Sequence, residues 1–250
     1  MTMSLTDRFF EFCRQYPGAE DIDELLKSSD VPAGMKIADF LFQVRTIVCE
    51  VKTLSTETAE KLAVYMQENG IGPSDLPTGQ HSIKQLFFQL DEGEKKYRRA
   101  MTLITTPLAN GLDDAEKQIR DTKKLFHIPN SDGLLVILND QVVLAGPPLI
   151  VERLGQRLAK TADDGSPYHK NINRIVHIGE KYTPGEENVY MNLSMGVQPE
   201  ANGVEVFVQH FMAAWAAFNE QTFTLAGPQH EKLLKESQLV ITVDRQRKRR

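Results

Sequence analysis

The sequence predicts an α/β or α+β fold with a central mixed β-sheet flanked by helices. The chain has 250 residues, 41% hydrophobic and 25% charged, which is typical of globular proteins. Helical and strand patterns alternate along residues 1–180. The run LLVILND at 134–140 is continuously apolar, as expected for a strand covered on both faces.

Each element is predicted from its periodicity and its boundaries. Tyr16-Pro17-Gly18 divides the first helical pattern into two helices. The segment 113–126 favours a helix because acidic residues open it, basic residues close it and its apolar residues share one face. In chain order, the patterns predict helices at 5–28, strands at 37–44 and 46–54, a helix from the N-cap Ser55 to Gly70, mostly helix at 81–104, the helix at 113–126, the strand at 134–140, a helix from Pro147 to about Lys160, and a strand at 171–178.

The C-terminal part differs from the rest in pattern and charge. We expect residues 1–180 to form the core and 181–250 to form an extension packed on it, helical around VEVFVQHFMAAWAAF. The net charge is −5, yet the tail 244–250, DRQRKRR, is basic. Such a tail could hold a phosphate backbone locally or be an ordinary solvated terminus.

The composition also bears on the cellular compartment. No apolar run approaches the roughly 20 residues of a membrane span. The N-terminus lacks the features of a signal peptide, and Cys13 and Cys49 are too few for a disulfide framework. We therefore expect a cytoplasmic protein with no membrane partner.

The first two strands carry charged residues where apolar ones are usual. In a hairpin whose turn is centred on Val44-Arg45, or whose loop is Gln43–Thr46, Asp39 lies opposite Glu50. Lys52 follows two residues later and therefore projects from the same face. A register slip of one residue would disperse this cluster.

Two opposed carboxylates repel each other, so something must compensate for their charge. Mg²⁺ takes oxygen ligands, often one or two carboxylates together with water and substrate phosphate. A bound ion could activate a water, and Lys52 could orient that water or stabilise developing negative charge. The alternative is a solvated sheet edge at which Lys52 is an ordinary ion-pair partner.

Asp39 followed by Glu50-Val51-Lys52 resembles the PD-(D/E)xK, or restriction-endonuclease-like, nuclease superfamily. The resemblance implies an α-β-β-β-α-β core, a divalent metal (Mg²⁺ or Mn²⁺) and phosphodiester hydrolysis. It also implies that Asp39 and Glu50 bind the metal and that Lys52 assists the attack. The strong match covers residues 36–54.

Other positions agree only in part with the family pattern. Some RecB-like members carry Gln followed four residues later by Tyr on the helix after the motif, whereas this chain has Gln118 and Thr122. Ala38 replaces the proline of the motif. Many members have a further acid on the first helix, for which three candidates remain open: Glu11, Glu20 and Glu24.

The sequence thus predicts a metal-dependent nuclease, acting on DNA more than on RNA. The alternative is a catalytically inactive binding or assembly module with the same fold, which the acidic net charge favours. A homodimer is one open alternative for the assembly, since homodimers are common in the superfamily. A basic patch on the 113–126 helix could contact phosphates or be a solvated face; it comprises Lys117, Arg120, Lys123 and Lys124.

Overall fold

The computed structural model describes residues 3–27, 31–54, 57–72, 79–139, 147–180, 193–197, 202–224 and 240–243. Its elements, in chain order, are α1 (Leu5–Gln15), β1 (Glu20–Asp21), α2 (Ile22–Leu26), β2 (Phe40–Phe42), β3 (Ile47–Leu54), α3 (Glu57–Glu68), β4 (Gly79–Ser82), α4 (Ile83–Phe88), α5 (Gly93–Leu125), β5 (Asp132–Asn139), α6 (Pro147–Leu158), β6 (Arg174–Gly179), β7 (Leu193–Gly196), α7 (Asn202–Phe218) and β8 (Val240–Val243).

The main sheet is mixed, with the strand order β1-β2-β3-β5-β6-β7. The central strands β3, β5 and β6 are parallel, and the outer pairings are antiparallel. Strands β4 and β8 form a separate antiparallel pair. The predicted mixed sheet flanked by helices is therefore confirmed, while the restriction-endonuclease-like core stays a prediction.

Apolar side chains form one core on each face of the main sheet. One core joins α1 and α7 to the sheet through aromatic residues such as Phe9 and Phe211, whose ring centroids are 5.9 Å apart. The other core joins α3, α4, α5 and α6 to the opposite face. Because residues of β3 alternate between the two faces, Cys49 enters the first core and Glu50 faces the helices of the second.

Helix α5 is a single helix of 33 residues, although the sequence predicts separate helical segments at 81–104 and 113–126. The prediction was wrong between these segments and also at residues 89–92, where α4 and α5 are separated. Ile104, Leu108 and Leu112 are buried on a continuous stripe, so packing outweighs the helix-breaking tendency of Pro107 within it.

Strand β2 spans only Phe40–Phe42, so the predicted strand at 37–44 was too long. Ile37 and Ala38, at the start of the predicted strand, form hydrogen bonds with α5 instead. Gln43 and Val44, at its end, belong to the turn. The break between α1 and α2 occurs where the sequence predicts it.

The C-terminal part contributes β7 to the main sheet and α7 to one helical layer. The predicted boundary at residue 180 stays a prediction, and the N-cap Ser55 and the tail 244–250 lie outside the described residues. None of the helices in the described ranges is long and apolar enough to cross a membrane.

Candidate functional site

The β2–β3 hairpin has the predicted register. Phe40 pairs with Cys49 and Phe42 with Ile47, across a loop that spans residues 43–46. The loop begins with three residues in the left-handed region, with φ values of 49°, 55° and 66° for Gln43, Val44 and Arg45. Because left-handed backbone is unfavourable for residues other than glycine, the surrounding structure must hold this turn in place.

Asp39 lies just before the regular ladder and is fixed by three hydrogen bonds. Its N–H donates to the Cys49 carbonyl (3.1 Å), and its own carbonyl accepts from the Ile22 N–H (3.0 Å). Its Oδ2 accepts from the Val51 N–H (2.7 Å). The carboxylate therefore takes the place of a backbone acceptor and is held beside Glu50.

The Glu50 carboxyl is almost completely buried, with 2% of the side chain exposed. Its Oε1 lies 2.7 Å from the Lys52 Nζ, whereas its Oε2 is buried and receives no hydrogen bond from any donor in the part of the chain that the structure describes. The Asp39 carboxyl lies within hydrogen-bonding reach of the Glu50 carboxyl. The predicted cluster of two acids and one lysine on one face is thus present.

The two carboxyl groups titrate abnormally because they are buried together. Burial is the first cause that raises the pKa of Glu50 to about 8, followed by the charge of Asp39, against the opposing effect of Lys52. Burial also raises the pKa of Asp39, although the Val51 N–H lowers it. At neutral pH the pair therefore retains a proton when no cation is bound.

Lys52 is positioned by Gln118 on α5. The Lys52 Nζ donates to the Gln118 Oε1 (2.6 Å), and the Gln118 Nε2 donates to the Ile37 carbonyl (2.9 Å). Because the amide accepts on one side and donates on the other, only one orientation of the Gln118 side chain satisfies both partners. Gln118 is therefore a positioning residue for the ammonium group.

A polar stripe along α5 holds the segment that leads into Asp39. Asp114 binds the Lys36 Nζ (2.9 Å), and Thr122 accepts from the Ala38 N–H (2.8 Å). Together with Gln118, these residues recur every four positions and so share one face of the helix. Between them they bind residues 36, 37 and 38 in succession.

Gly111 allows α5 to approach the stem of Lys52 closely. A Cβ atom placed on Gly111 would lie 3.7 Å from the Lys52 Cγ and 3.9 Å from its Cβ. These are ordinary contact distances, so alanine would fit at this position, whereas a longer side chain would displace Lys52.

The three candidate acids of the first helices are engaged elsewhere. Glu20 binds Arg45 through both carboxylate oxygens, Glu24 pairs with Lys27 at 2.5 Å, and Glu11 accepts from a neighbouring glutamine. Burial is the main cause that raises the pKa of Asp39, and the negative charge of Asp23 on α2 adds to this increase. Sequence reasoning missed Asp23, and no spacing signal distinguishes it from its acidic neighbours.

The polar stripe was also missed, apart from Gln118. Its signal is present in the sequence, because Asp114, Gln118 and Thr122 interrupt an otherwise apolar arc at intervals of four residues. The sequence does not show which residues the stripe binds, because these are distant in the chain; Lys36 and Asp114, for example, are 78 residues apart.

The donor set fits a hard divalent cation better than zinc. Among the described residues, no group of three or more His, Cys, Asp or Glu side chains is arranged to hold a metal ion. Asp39 and Glu50 offer two carboxylates. Mg²⁺ is commonly bound by one or two carboxylates, and water and phosphate oxygens supply its remaining ligands. The orphaned Glu50 Oε2 is the buried atom that such an ion would satisfy.

Comparisons with protein-family models, curated proteins and solved structures gave no match to this chain.

Proposed function

We propose that the protein is a phosphodiesterase that depends on a divalent metal and cleaves nucleic acid, DNA more than RNA. The observation that carries this proposal is the buried Glu50 carboxyl, which faces a second acid, Asp39, and has one oxygen that accepts from no donor among the described residues. A purely structural ion pair with Lys52 requires only one carboxylate. The second acid destabilises such a pair, whereas a cation held by both carboxylates would explain why Asp39 and Glu50 lie together.

The residues of the site divide the work of phosphodiester hydrolysis. Asp39 and Glu50 would hold Mg²⁺ or Mn²⁺, which supplies Lewis-acid activation of water and neutralises phosphate charge. The Lys52 ammonium uses two of its three donors on Glu50 and Gln118, which leaves one for the attacking water or a phosphoryl oxygen. Gln118 keeps Lys52 at that position.

The resemblance to the PD-(D/E)xK superfamily supports the same assignment of roles. It concerns Asp39, directly before β2, together with Glu50 and Lys52 on the neighbouring strand β3 of a mixed sheet. The partly exposed Lys52 and Lys36 side chains provide positive charge where a phosphate would enter.

A second candidate is a binding or assembly module that has the same fold and no catalytic activity. The Glu50–Lys52 pair at 2.7 Å favours it, because this pair partly neutralises the site without a metal ion. The net charge of −5 points the same way, since it disfavours nonspecific binding of nucleic acid.

Nuclease assays on circular duplex DNA, linear duplex, single-stranded DNA and RNA test the proposal. Each substrate is incubated with Mg²⁺, Mn²⁺ or EDTA. Activity should require the metal and fall by about 10²- to 10⁴-fold in Lys52→Met, because a group that stabilises the transition state is removed. Lys95→Met is the matched control, since Lys95 is an exposed lysine on α5 that pairs with Glu92 on the protein surface.

Thermal melting tests whether the two carboxylates bind the metal, and together with the nuclease assay it separates the two candidate functions. Mg²⁺ should raise the melting temperature of the wild type and leave that of Asp39→Asn unchanged, because one carboxylate ligand is removed. Full activity of Lys52→Met, or cleavage in EDTA, would contradict the mechanism. A metal shift without cleavage of any substrate would favour the binding module.

A further inference from the structure

The C-terminal half of α5 borders a second site, separate from the carboxylates. A cleft of about 580 Å³ opens there, between the end of the helix and the segment that precedes β6. Four of its six lining residues can carry positive charge. The lining residues are Arg120, Lys123, Lys124, His127, Pro129 and Asn171.

The inner wall of this basic cleft is rigidly built. The Asn171 backbone N–H and Nδ2 donate to the Glu116 carboxylate at 3.0 and 2.6 Å, which turns the Asn171 carbonyl toward the Lys123 Nζ at 3.3 Å. Gly133 makes this close approach possible, since a Cβ at that position would lie 1.9 Å from the Asn171 oxygen. A fixed wall lowers the entropy cost of ordering a ligand.

The cations of the basic cleft are only partly compensated. Lys123 is buried, which lowers its pKa, while the charges of Glu116 and Asp132 oppose that effect. Arg120 binds Asp121 through Nε at 2.9 Å, and its two terminal guanidinium nitrogens form no ion pair with the residues that the structure describes. The Lys124 and His127 side chains are exposed and form no hydrogen bond or ion pair within the described residues, so both can reach a ligand.

The end of α5 places His127 at the cleft with an unfavourable backbone conformation. The Ile128 N–H donates to the Lys123 carbonyl (2.9 Å) and the His127 N–H to the Lys124 carbonyl (3.3 Å), a pattern that usually has glycine at the left-handed position. His127 occupies that position with φ 55°. The negative end of the helix dipole favours lysines in the last turn and a protonated imidazole beside it, but it does not account for Arg120, which lies before the last turn.

We propose that this basic cleft binds a phosphate group, with Arg120, Lys124 and His127 as direct donors. Lys123 supplies a fixed positive charge from the wall. A guanidinium that is ion-paired only through its Nε in the described residues, an ammonium and an imidazole converge on one cleft, where they match the charge and the acceptor oxygens of a phosphate.

The position of the cleft relative to the carboxylates suggests the source of that phosphate. Lys124 follows Gln118 by six residues, which is about 9 Å along the helix axis and about 240° around it, so a strand that contacts both sites must cross the helix. At about 3.4 Å per nucleotide, this distance spans two to three nucleotides of a duplex strand. The cleft would then hold the backbone of the strand that is cut at Asp39 and Glu50. This assignment of the phosphate to a DNA strand rests on the proposed nuclease function.

Binding assays in EDTA test the cleft independently of cleavage. A labelled duplex of about 20 base pairs is titrated between 50 and 300 mM salt with wild type and Arg120→Gln/Lys124→Gln. The variant should bind at least tenfold more weakly, and its slope of log affinity against log salt should fall by about 0.9 for each phosphate that it no longer neutralises. Lys95→Gln/Arg98→Gln is the matched control, with the same charge change on the same helix.

Titration calorimetry with inorganic phosphate and a nucleoside monophosphate tests the alternative that the phosphate group belongs to a small molecule rather than to a DNA strand. If the cleft variant fails to bind these ligands but binds duplex like the wild type, the cleft is a phosphate site for a small molecule, and its assignment to the DNA strand is overturned. Unchanged binding of duplex, inorganic phosphate and the nucleotide would overturn the phosphate site itself. Because no arm requires cleavage, an inactive protein still gives a decisive result on the cleft.

His127→Gly provides a test in which weaker binding cannot come from misfolding. Glycine relieves the left-handed conformation, so the melting temperature should rise. Phosphate binding should weaken at the same time, because a donor is removed. A higher melting temperature with unchanged phosphate binding would overturn the role given to His127.

Discussion

Glu50→Gln should change how the stability of the metal-free protein depends on pH. The pKa of Glu50 is raised from 4.5 to about 8, so the folded protein keeps a proton that the unfolded chain releases between these values. The free energy of unfolding of the wild type must then fall as pH rises through this window. At 1.36 kcal/mol per pH unit, the loss reaches at most about 5 kcal/mol by pH 8.

Glutamine has the shape of the protonated glutamic acid but does not titrate. At pH 5 the variant should therefore match the wild type in stability, and at pH 8 it should be more stable by several kcal/mol, up to the ~5 kcal/mol limit set by linkage. Urea unfolding followed by circular dichroism, at intervals from pH 5 to 9 in EDTA, measures both profiles. Glu94→Gln, at an exposed position, should keep the wild-type profile.

Saturating Mg²⁺ should abolish most of the pH-dependent loss in the wild type. The ion would replace the proton between the two carboxyl groups, so its affinity should increase as pH rises toward 8. If Glu50→Gln showed the same falling profile as the wild type in EDTA, the retained proton would belong to another group and the argument for a metal at this pair would fail.

Three further substitutions probe the surroundings of the two sites. Burial lowers the pKa of His177 to about 4, and neither ring nitrogen has a hydrogen-bond partner in the described ranges of the chain. The free energy of unfolding of the wild type should therefore fall by up to about 3 kcal/mol as pH falls from 6.5 to 4, and urea unfolding of His177→Leu should show no such loss. Gly111→Ala should stabilise the protein by about 0.5–1 kcal/mol and keep nuclease activity, because the new Cβ lies in ordinary contact with Lys52; reduced activity would show that Lys52 had moved. Gly133→Ala should destabilise by at least about 2 kcal/mol in the same unfolding assay, since its Cβ would overlap the Asn171 carbonyl; wild-type stability would contradict the built wall.

Local patterns predicted the hairpin and its register, because strand alternation and loop parity depend on residues close in the chain. The same reasoning placed Asp39, Glu50 and Lys52 on one face, and Cys49 opposite them, as in the structure. Gln118 came from the family resemblance rather than from spacing, and its contact with Lys52 spans 66 residues.

Features set by long-range contacts were not predicted. In the expected strand at 37–44, the backbone groups of Ile37 and Ala38 are bonded to side chains of α5 rather than to a neighbouring strand. The Val51 N–H is bonded to the side chain of Asp39. The continuity of α5 through Pro107 likewise depends on burial against the rest of the core rather than on local propensity. The basic patch was visible in the sequence, whereas the wall formed by Asn171 depends on tertiary packing.

The charges of the carboxylate site follow a simple order that is consistent with a phosphodiester substrate. With Asp39 and Glu50 ionised, Lys52 leaves one negative charge uncompensated, which burial makes costly. A proton makes the site neutral but gives it no attraction for phosphate. A divalent cation instead leaves one net positive charge, which the single negative charge of a phosphodiester balances. A second acid beside the Glu50–Lys52 pair is thus unfavourable in a purely structural ion pair and useful in a site that must alternate between a proton, a cation and a phosphate.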